Sequence, residues 1–288
     1  MQETILVTAA TSAVGREVVR HLAARGAKVK AAVRSAARAS EFPPEVERVE
    51  FDLSQPETVE SAFAGVEKAF LMTPLAPNLV ELDLTCLEAA KNAQLKHIVK
   101  LSVMGAESEP EILLARSHRD SEKAIADSGI PYTFVRPNSF HQNYITYASA
   151  TIKAQNSFYL PLGESKISFI DIRDVAAVAA AILTQSGYEN QAYTLTGSVA
   201  LNNTEVAQIL SAVLGRPITY IDIPAETARQ AMQGAGMPDR QIEMVLGLYD
   251  RQKAGHYSTL TPVVEQIAGK QPISFEQFAR DFAEAFQA

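Results

Sequence analysis

Short apolar runs rich in β-branched residues alternate, along the first half of the chain, with longer stretches whose apolar positions recur at helical spacing. The runs Thr4 to Thr8, Val29 to Val33, Val46 to Phe51, Ala69 to Met72, His97 to Ser102 and Tyr132 to Val135 read as strands. Helical spacing begins at about Ala13, near Glu57 to Ala64, at Leu79 to Ala93 and from about Ile112 to Ser128. Continuously apolar strands separated by helices predict a parallel sheet covered on both faces, the doubly wound α/β class.

The rhythm changes after Pro137. The stretch Phe140-His141-Gln142-Asn143-Tyr144-Ile145-Thr146-Tyr147 is rich in aromatic and amide side chains and leads into a turn at Leu160-Pro161-Leu162-Gly163, which predicts a lid or pocket wall. Ile167 to Ile170 and the alanine-rich helix Val175 to Leu183 return to the core, and Ala192 to Thr196 predicts a seventh strand. Further helices are expected near Thr204 to Leu214, Ala225 to Ala235, Gln241 to Gln252 and Phe275 to Phe286, with one strand at Ile218 to Ile223. The division that follows is a Rossmann-type domain of residues 1–137, which also receives about 168–197, and a small α/β C-terminal subdomain made mainly of 138–288. No internal repeat or low-complexity tract interrupts this pattern.

Length and charge narrow the partners. A chain of 288 residues can hold one large α/β domain with a smaller appendage. Its net charge of -7, with no basic stripe, argues against nucleic acid and for a small-molecule partner, with the protein a monomer or homodimer. Cys86, the only cysteine, excludes an internal disulfide; with no secretory signal, a reducing, cytoplasmic setting is expected. Cys86 shares a helical face with Leu79, Leu82, Ala90 and Ala93 and reads as core packing. No apolar run approaches the roughly 20 residues of a membrane span. The five histidines form no ligand-spaced cluster, so no metal is expected.

The candidate chemistry starts at the first loop. The first strand runs into Thr8-Ala9-Ala10-Thr11-Ser12-Ala13-Val14-Gly15, and a helix with Val14, Val18 and Leu22 on one face begins at once. Strand, tight loop and helix place a dinucleotide pyrophosphate on the helix N-terminus, where unpaired amides and the positive dipole end favour anions. Thr8, Ala10, Thr11, Ser12, Ala13, Val14 and Gly15 are therefore cofactor candidates. A glycine-rich fingerprint would carry glycines at Ala9 and Ser12, and only Gly15 remains. Ala9 constrains the turn, Ser12 brings a small hydroxyl that can donate to phosphate, and Gly15 lets the helix pack closely.

An NAD enzyme would place a carboxylate at the end of the second strand for the ribose 2′-hydroxyl. Between Lys28 and Ser40 there is no acid; Arg34 ends the strand and Arg38 follows a helical turn on. A guanidinium binds a 2′-phosphate in a fork, so the expected cofactor is NADPH. Asp52 and Leu53, after the third strand, are adenine neighbours. Ligands of doubly wound sheets lie beyond the carboxyl ends of the strands, which adds Thr73 and Pro74, Ser102 and Val103, and Pro137 and Asn138. Pro137 and Asn138 would flank the nicotinamide carboxamide, with Phe140 beside them; Gln142, Asn143, Tyr144 and Tyr147 would continue the wall around a substrate. Asp171 and Asp174 stand at a helix start and read as capping groups.

The loop before Gly15 occurs together with Gly65-Val66-Glu67-Lys68, Ala126-Asp127-Ser128-Gly129-Ile130-Pro131-Tyr132-Thr133-Phe134-Val135-Arg136, Asp171-Ile172-Arg173-Asp174-Val175-Ala176 and Tyr193-Thr194-Leu195-Thr196-Gly197. In this order these segments resemble the NmrA-like atypical short-chain dehydrogenase/reductases across the whole chain, and more narrowly the quinone oxidoreductase and triphenylmethane-dye reductase branch. The resemblance implies a Rossmann domain binding NADPH and a C-terminal subdomain forming a cleft for a flat, conjugated electrophile. It leaves open a non-catalytic dinucleotide sensor and a biosynthetic reductase or isomerase.

Classical members carry Tyr-x-x-x-Lys on the helix after the fifth strand. This chain has no tyrosine there and offers His118 with Glu122, a pair on one helical face. His118 would orient a ribose or relay a proton and, with Tyr144, is the candidate catalytic group. Hydride addition to a quinone or cationic dye leaves a stabilised product, so positioning alone can suffice.

Overall fold

The computed structural model describes residues 3–35, 42–109 and 111–287. Seven strands form one sheet: β1 (Thr4–Val7), β2 (Lys28–Val33), β3 (Glu47–Glu50), β4 (Lys68–Leu71), β5 (His97–Leu101), β6 (Tyr132–Pro137) and β8 (Gln191–Leu195). Their order is β3-β2-β1-β4-β5-β6-β8, so the chain winds outward from β1 in one direction and from β4 in the other. The first six strands pair in parallel. The helices that return the chain are α1 (Ala13–Ala24), α2 (Pro56–Phe63), α3 (Leu79–Asn92), α4 (Leu113–Asp127) and α6 (Ile172–Thr184). This is the doubly wound α/β fold.

Each face of the sheet is closed by a different kind of packing. On one, α1 packs on α6, whose Ala176, Ala177, Ala179, Ala180 and Ala181 are all buried and let the two helices approach. On the other, strand alternation delivers Leu6, Ala32, Ala69, Leu71, Ile98 and Phe134 into one core with Val59 and Phe63 of α2, Cys86 and Leu87 of α3, and Ile125 of α4. Burial, with the Asp83 carboxylate nearby, pushes the Cys86 thiol up to about 12, so it packs as a small hydrophobe.

The chain divides into two compact units. The first comprises Met1–Pro110, Ala115–Arg136 and Ile172–Thr194; the second comprises Glu111–Leu114, Pro137–Asp171 and Leu195–Ala288. The second unit contains α5 (Ser149–Gln155), β7 (Ser157–Leu160), α7 (Asn203–Leu214), β9 (Thr219–Asp222), α8 (Ala225–Gly234), α9 (Asp239–Lys253), α10 (Val263–Ala268) and α11 (Phe275–Asp281). Its strands β7 and β9 pair in parallel, with Tyr159 opposite Ile221. Asn202 caps α7 through a capping box with Glu205, and Gly215 ends the helix in the left-handed conformation.

Two stretches differ from the sequence expectation. The segment expected as a lid or pocket wall contains a π-helical turn, Tyr144–Ala148, that continues into α5. Tyr144, Ala148 and Ile152 are buried at intervals of one helical turn, a stripe that the surrounding polar composition hides. Ile167 to Ile170 is buried, as expected of a return to the core, and makes single bridges, Ile167 to Leu201 and Phe140 to Ile170. Phe275 to Phe286 breaks at Phe282 into α11 and a 3₁₀ turn, Ala283–Phe286.

One core histidine makes stability pH-dependent. Thr133 donates its hydroxyl to the Tyr188 carbonyl at 2.7 Å, so at His97 Nε2, 2.8 Å away, it accepts. The ring therefore carries its proton on Nε2, and Nδ1 has no hydrogen-bond partner among the described residues. Burial holds this imidazole below its ordinary value of 6.5, so the folded state stays neutral where the unfolded chain takes up a proton. Stability from this source is present above the unfolded pKa and is lost as pH falls below it. Thermal unfolding should occur at lower temperature as pH drops from about 7.5 to 5.5, and His97→Gln should flatten that slope by at most about 1.4 kcal/mol at the acid end. Equal slopes in the two proteins would remove His97 as a cause.

Candidate active site

The loop after β1 is held from both sides. Thr8 is fully buried, and its hydroxyl donates to the Met72 carbonyl at 2.7 Å while accepting from the Met72 amide at 2.8 Å. Its side chain thus ties the end of β1 to the end of β4 and is not available to a ligand, contrary to its expected role. Ala9 adopts φ 48°, the left-handed region that a glycine would occupy without strain. Its carbonyl accepts from the Ser12 amide at 2.9 Å, and the buried Ala10 donates to Ala32 at 3.3 Å. These bonds fix the turn that the residue type disfavours.

Ser12 is the N-cap of α1, its Oγ accepting from the Gly15 amide at 3.0 Å. A Cβ on Gly15 would lie 2.2 Å from the Ala9 carbonyl, so the loop folds down directly on the helix start. The first turn of α1 carries no acid, and the Ala13 and Val14 amides have no intrahelical acceptor. Half-buried Thr11 and exposed Ala13 border this positive helix end. Such a donor set fits a pyrophosphate.

Arg34 is exposed immediately beyond β2, and the Phe51 amide donates to the Val33 carbonyl at 3.0 Å, which sets Asp52 on the neighbouring strand end. The Asp52 carboxylate accepts from the amide and hydroxyl of Ser54 at 2.9 and 2.7 Å; the amide first, then the hydroxyl, holds it below the usual carboxylate range. Leu53 packs against the α2 and α3 core. Arg38 lies outside the described residues.

At the ends of β4, β5 and β6 the core turns polar. Thr73 and Ser102 are buried, Val103 half-buried and Pro74 exposed. Lys100 and Asp83, each 1% exposed, form an ion pair with Nζ 3.2 Å from Oδ2. Thr73 donates to the other Asp83 oxygen at 2.8 Å, and Lys100 donates to the Leu101 carbonyl at 2.8 Å. Glu122 does not pair with His118, as the spacing had suggested: Arg136 takes both its oxygens, at 2.9 and 2.6 Å, and also binds Glu107. A guanidinium fork across the strand end wins over a weak pair along the helix. His118 is buried, and burial followed by the Lys100 charge holds its imidazole well below the ordinary range. Its Nδ1 and the Ser102 Oγ have no hydrogen-bond partner among the described residues.

In the second unit, Asn138 is spent on the fold. Its amide donates to Ser168 Oγ and the Tyr257 carbonyl, both at 2.8 Å, and its oxygen accepts from the Ser139 amide at 2.8 Å. Pro137 is buried and Phe140 half-buried. Tyr144, expected as a catalytic group, is a core residue: its hydroxyl donates to Asn203 at 2.6 Å and its ring is caged edge-on by Phe158, Phe169 and Phe275. Burial, with Tyr249 and Tyr220 nearby, raises its pKa well above the ordinary value, so it keeps its proton. Gln142 is half-buried, Asn143 exposed and Tyr147 70% exposed.

Sequence reasoning missed the Lys100–Asp83 and Arg136–Glu122 pairs, and the buried His141 with Nδ1 3.8 Å from Asp171. Two signals were present: a lysine in the middle of an apolar strand, and an aspartate on the buried face of α3 four residues after Leu79.

Comparison with known proteins supplies a family. The NmrA-like family matches residues 1–278. The chain is 40% identical to an NAD(P)H azoreductase of Xenophilus azovorans, covering 99% of each chain. The fold superimposes on an NADPH-dependent quinone oxidoreductase of Escherichia coli solved with NADPH, at TM-score 0.87 and 25% identity over 97% of this chain and 99% of that one. It likewise superimposes on the Citrobacter sp. triphenylmethane reductase solved with NADP(H), at TM-score 0.84 and 28% identity over 95% and 98% of the two chains.

The loop geometry predicts opposite outcomes for two small substitutions. Gly15→Ala must push α1 off the Ala9 carbonyl and should destabilise the protein by about 3 kcal/mol. Ala9→Gly relieves a left-handed alanine and should be neutral or stabilising by up to about 1 kcal/mol, despite the added freedom of the unfolded chain. Urea unfolding of both variants checks this; a clear loss of stability in Ala9→Gly would contradict the strain assigned to Ala9.

Proposed function

The chain belongs to the NmrA-like family, and we propose that it is an NADPH-dependent reductase that transfers hydride to a conjugated acceptor such as a quinone or a dye. The observation that carries this reading is the acid-free helix start of α1 after β1, together with an exposed guanidinium, Arg34, just beyond the end of β2. The azoreductase relative, alike over nearly the full length of both chains, supports the acceptor class. The first unit acts as the dinucleotide-binding domain and the second binds the acceptor.

NADPH, when bound, supplies the hydride. The α1 amides hold the pyrophosphate, with Thr11 and Ser12 beside it, and Arg34 takes the 2′-phosphate. Asp52 and Leu53 border the adenine. Thr73, Pro74, Ser102 and Val103, at the carboxyl ends of β4 and β5, receive the reactive end, and His118 contributes an uncharged hydrogen-bonding ring. Gln142, Asn143 and Tyr147 bind the acceptor within the second unit. A quinone or azo group spreads the arriving charge over its conjugated system, so the product can take its proton from water. No protein acid is required, which agrees with Tyr144 being sealed in the core.

Purified protein should oxidise NADPH when offered a naphthoquinone, an azo dye or a triphenylmethane dye, followed by the loss of NADPH absorbance. Tight NADPH binding with no turnover on any of the three would turn the reading to a non-catalytic sensor. Arg34→Ala should weaken NADPH by about 1.5–3 kcal/mol in calorimetry and leave NADH unchanged; equal affinities for both dinucleotides in the native protein would refute the role of Arg34. His118→Gln and Tyr147→Phe should each slow single-turnover hydride transfer by less than roughly a hundredfold, because general acid catalysis typically contributes 10² to 10⁴. A larger loss at saturating NADPH would reveal a protein proton donor.

A further inference from the structure

The sheet face that packs against α2, α3 and α4 is apolar along most of its length and changes character at one end. Ile98 and Lys100 follow one another on that face of β5, with Ser102 just beyond the strand, as do Leu71 of β4 with Thr73 beyond it and Phe134 with Arg136 on β6. Replacing a buried ion pair by apolar residues of similar volume is often neutral or stabilising, so the Lys100–Asp83 pair is weak evidence for a stability role. Its bonds run instead to the two backbone segments where strands end. Asp83 holds Thr73, the second residue after β4, at 2.8 Å, and Lys100 holds the Leu101 carbonyl, one residue before Ser102, at 2.8 Å. Beside the pair, two polar groups more than nine-tenths buried, Ser102 Oγ and His118 Nδ1, have no hydrogen-bond partner among the described residues. Buried polar atoms without partners point to a ligand that completes them.

We propose that Lys100 and Asp83 are positioning residues for the reactive end of the dinucleotide: the pair locks the starts of the loops after β4 and β5 so that Ser102 and His118 present their open hydrogen-bonding atoms to it. Neither charged group touches the ligand. Asp83 acts through Thr73, and Lys100 acts through the Leu101 carbonyl and through its charge, which helps keep the His118 ring neutral. The inference rests on the NADPH reading above and adds two residues that it does not require.

The test uses the double variant Lys100→Met/Asp83→Leu, which removes both buried charges together and leaves neither unpaired. Its melting temperature should equal or exceed that of the native protein. Calorimetry should show NADPH binding at least tenfold weaker, and with quinone as acceptor the KM for NADPH should rise more than kcat falls. A purely structural pair predicts the reverse: any change in melting temperature, with NADPH affinity within twofold of native, and that result overturns the proposal. Should the double variant fail to fold, Lys100→Met/Asp83→Asn decides, since it removes both buried charges and keeps a side chain of the carboxylate's shape beside Thr73. A loss of threefold or more in NADPH affinity supports the proposal and an unchanged affinity overturns it. Absence of NADPH binding in the native protein would defeat the parent reading itself, an outcome separate from a native protein that binds while both variants bind equally well.

Discussion

The close approach of α1 to the Ala9 carbonyl governs the first unit. With a Cβ excluded at Gly15 by a 2.2 Å contact, the helix starts directly over the end of β1, and its unpaired amides are held in one place. From that start Val14, Val18, Val19 and Leu22 are carried into the core, and the helix packs on α6 with its small residues. The Thr8 hydroxyl clamps Met72 at the same level, so the ends of β1 and β4, where the strand order reverses, are fixed together. A bulkier residue at Gly15 would therefore disturb the helix, the anion-binding amides and the helix–helix contact at once.

The two missing glycines of the loop are compensated by different means. Ala9 keeps the left-handed backbone that glycine would adopt freely, and the bonds from the Ser12 amide and from Ala10 to Ala32 hold it there. Strain of about 1 kcal/mol is tolerable when the surrounding structure determines the conformation. Ser12 has an ordinary extended backbone, so its position does not need glycine for conformational reasons; its hydroxyl caps the helix. The loop thus exchanges glycine flexibility for side-chain and backbone hydrogen bonds, and in the unfolded chain it has fewer conformations to lose.

What could be read from the sequence was local and periodic. Strands buried on both faces declare themselves as unbroken apolar runs, and α3 keeps its apolar stripe from Leu79 through Cys86 to Ala90, so the sheet, its helices and the loop before Gly15 were legible. Tyr144, Ala148 and Ile152 also share a stripe, but Asn143, Thr146 and Tyr147 around them suggested a wall, and a π-helical turn has no local signature. His118 and Glu122 have the spacing of a pair, yet Glu122 is claimed by Arg136 from another strand. Asn138 has the position of a ligand contact, yet Ser168 and Tyr257 claim it. Partner choice between elements distant in sequence is a tertiary fact, and residue spacing does not encode it.

The distribution of charge along the strands carries the argument one step further. At the amino ends of the sheet, charged groups meet at or near solvent: Glu3 with Lys68 and Lys96, and Lys30 with Glu47. Such pairs contribute little to stability and are cheap to keep. At the carboxyl ends of β5 and β6 the charges are buried, as Lys100 with Asp83 and Arg136 with Glu122, where desolvation costs roughly several kcal/mol per ion. A fold selected for stability alone would place apolar residues there, as it does lower on the same strands at Ile98 and Phe134. The costly pairs occupy the end of a doubly wound sheet at which ligands bind, and each anchors a strand end or an element beside it. The polar layer therefore supplies the rigid floor that the proposed dinucleotide site calls for, with its energetic cost carried by the apolar core beneath it.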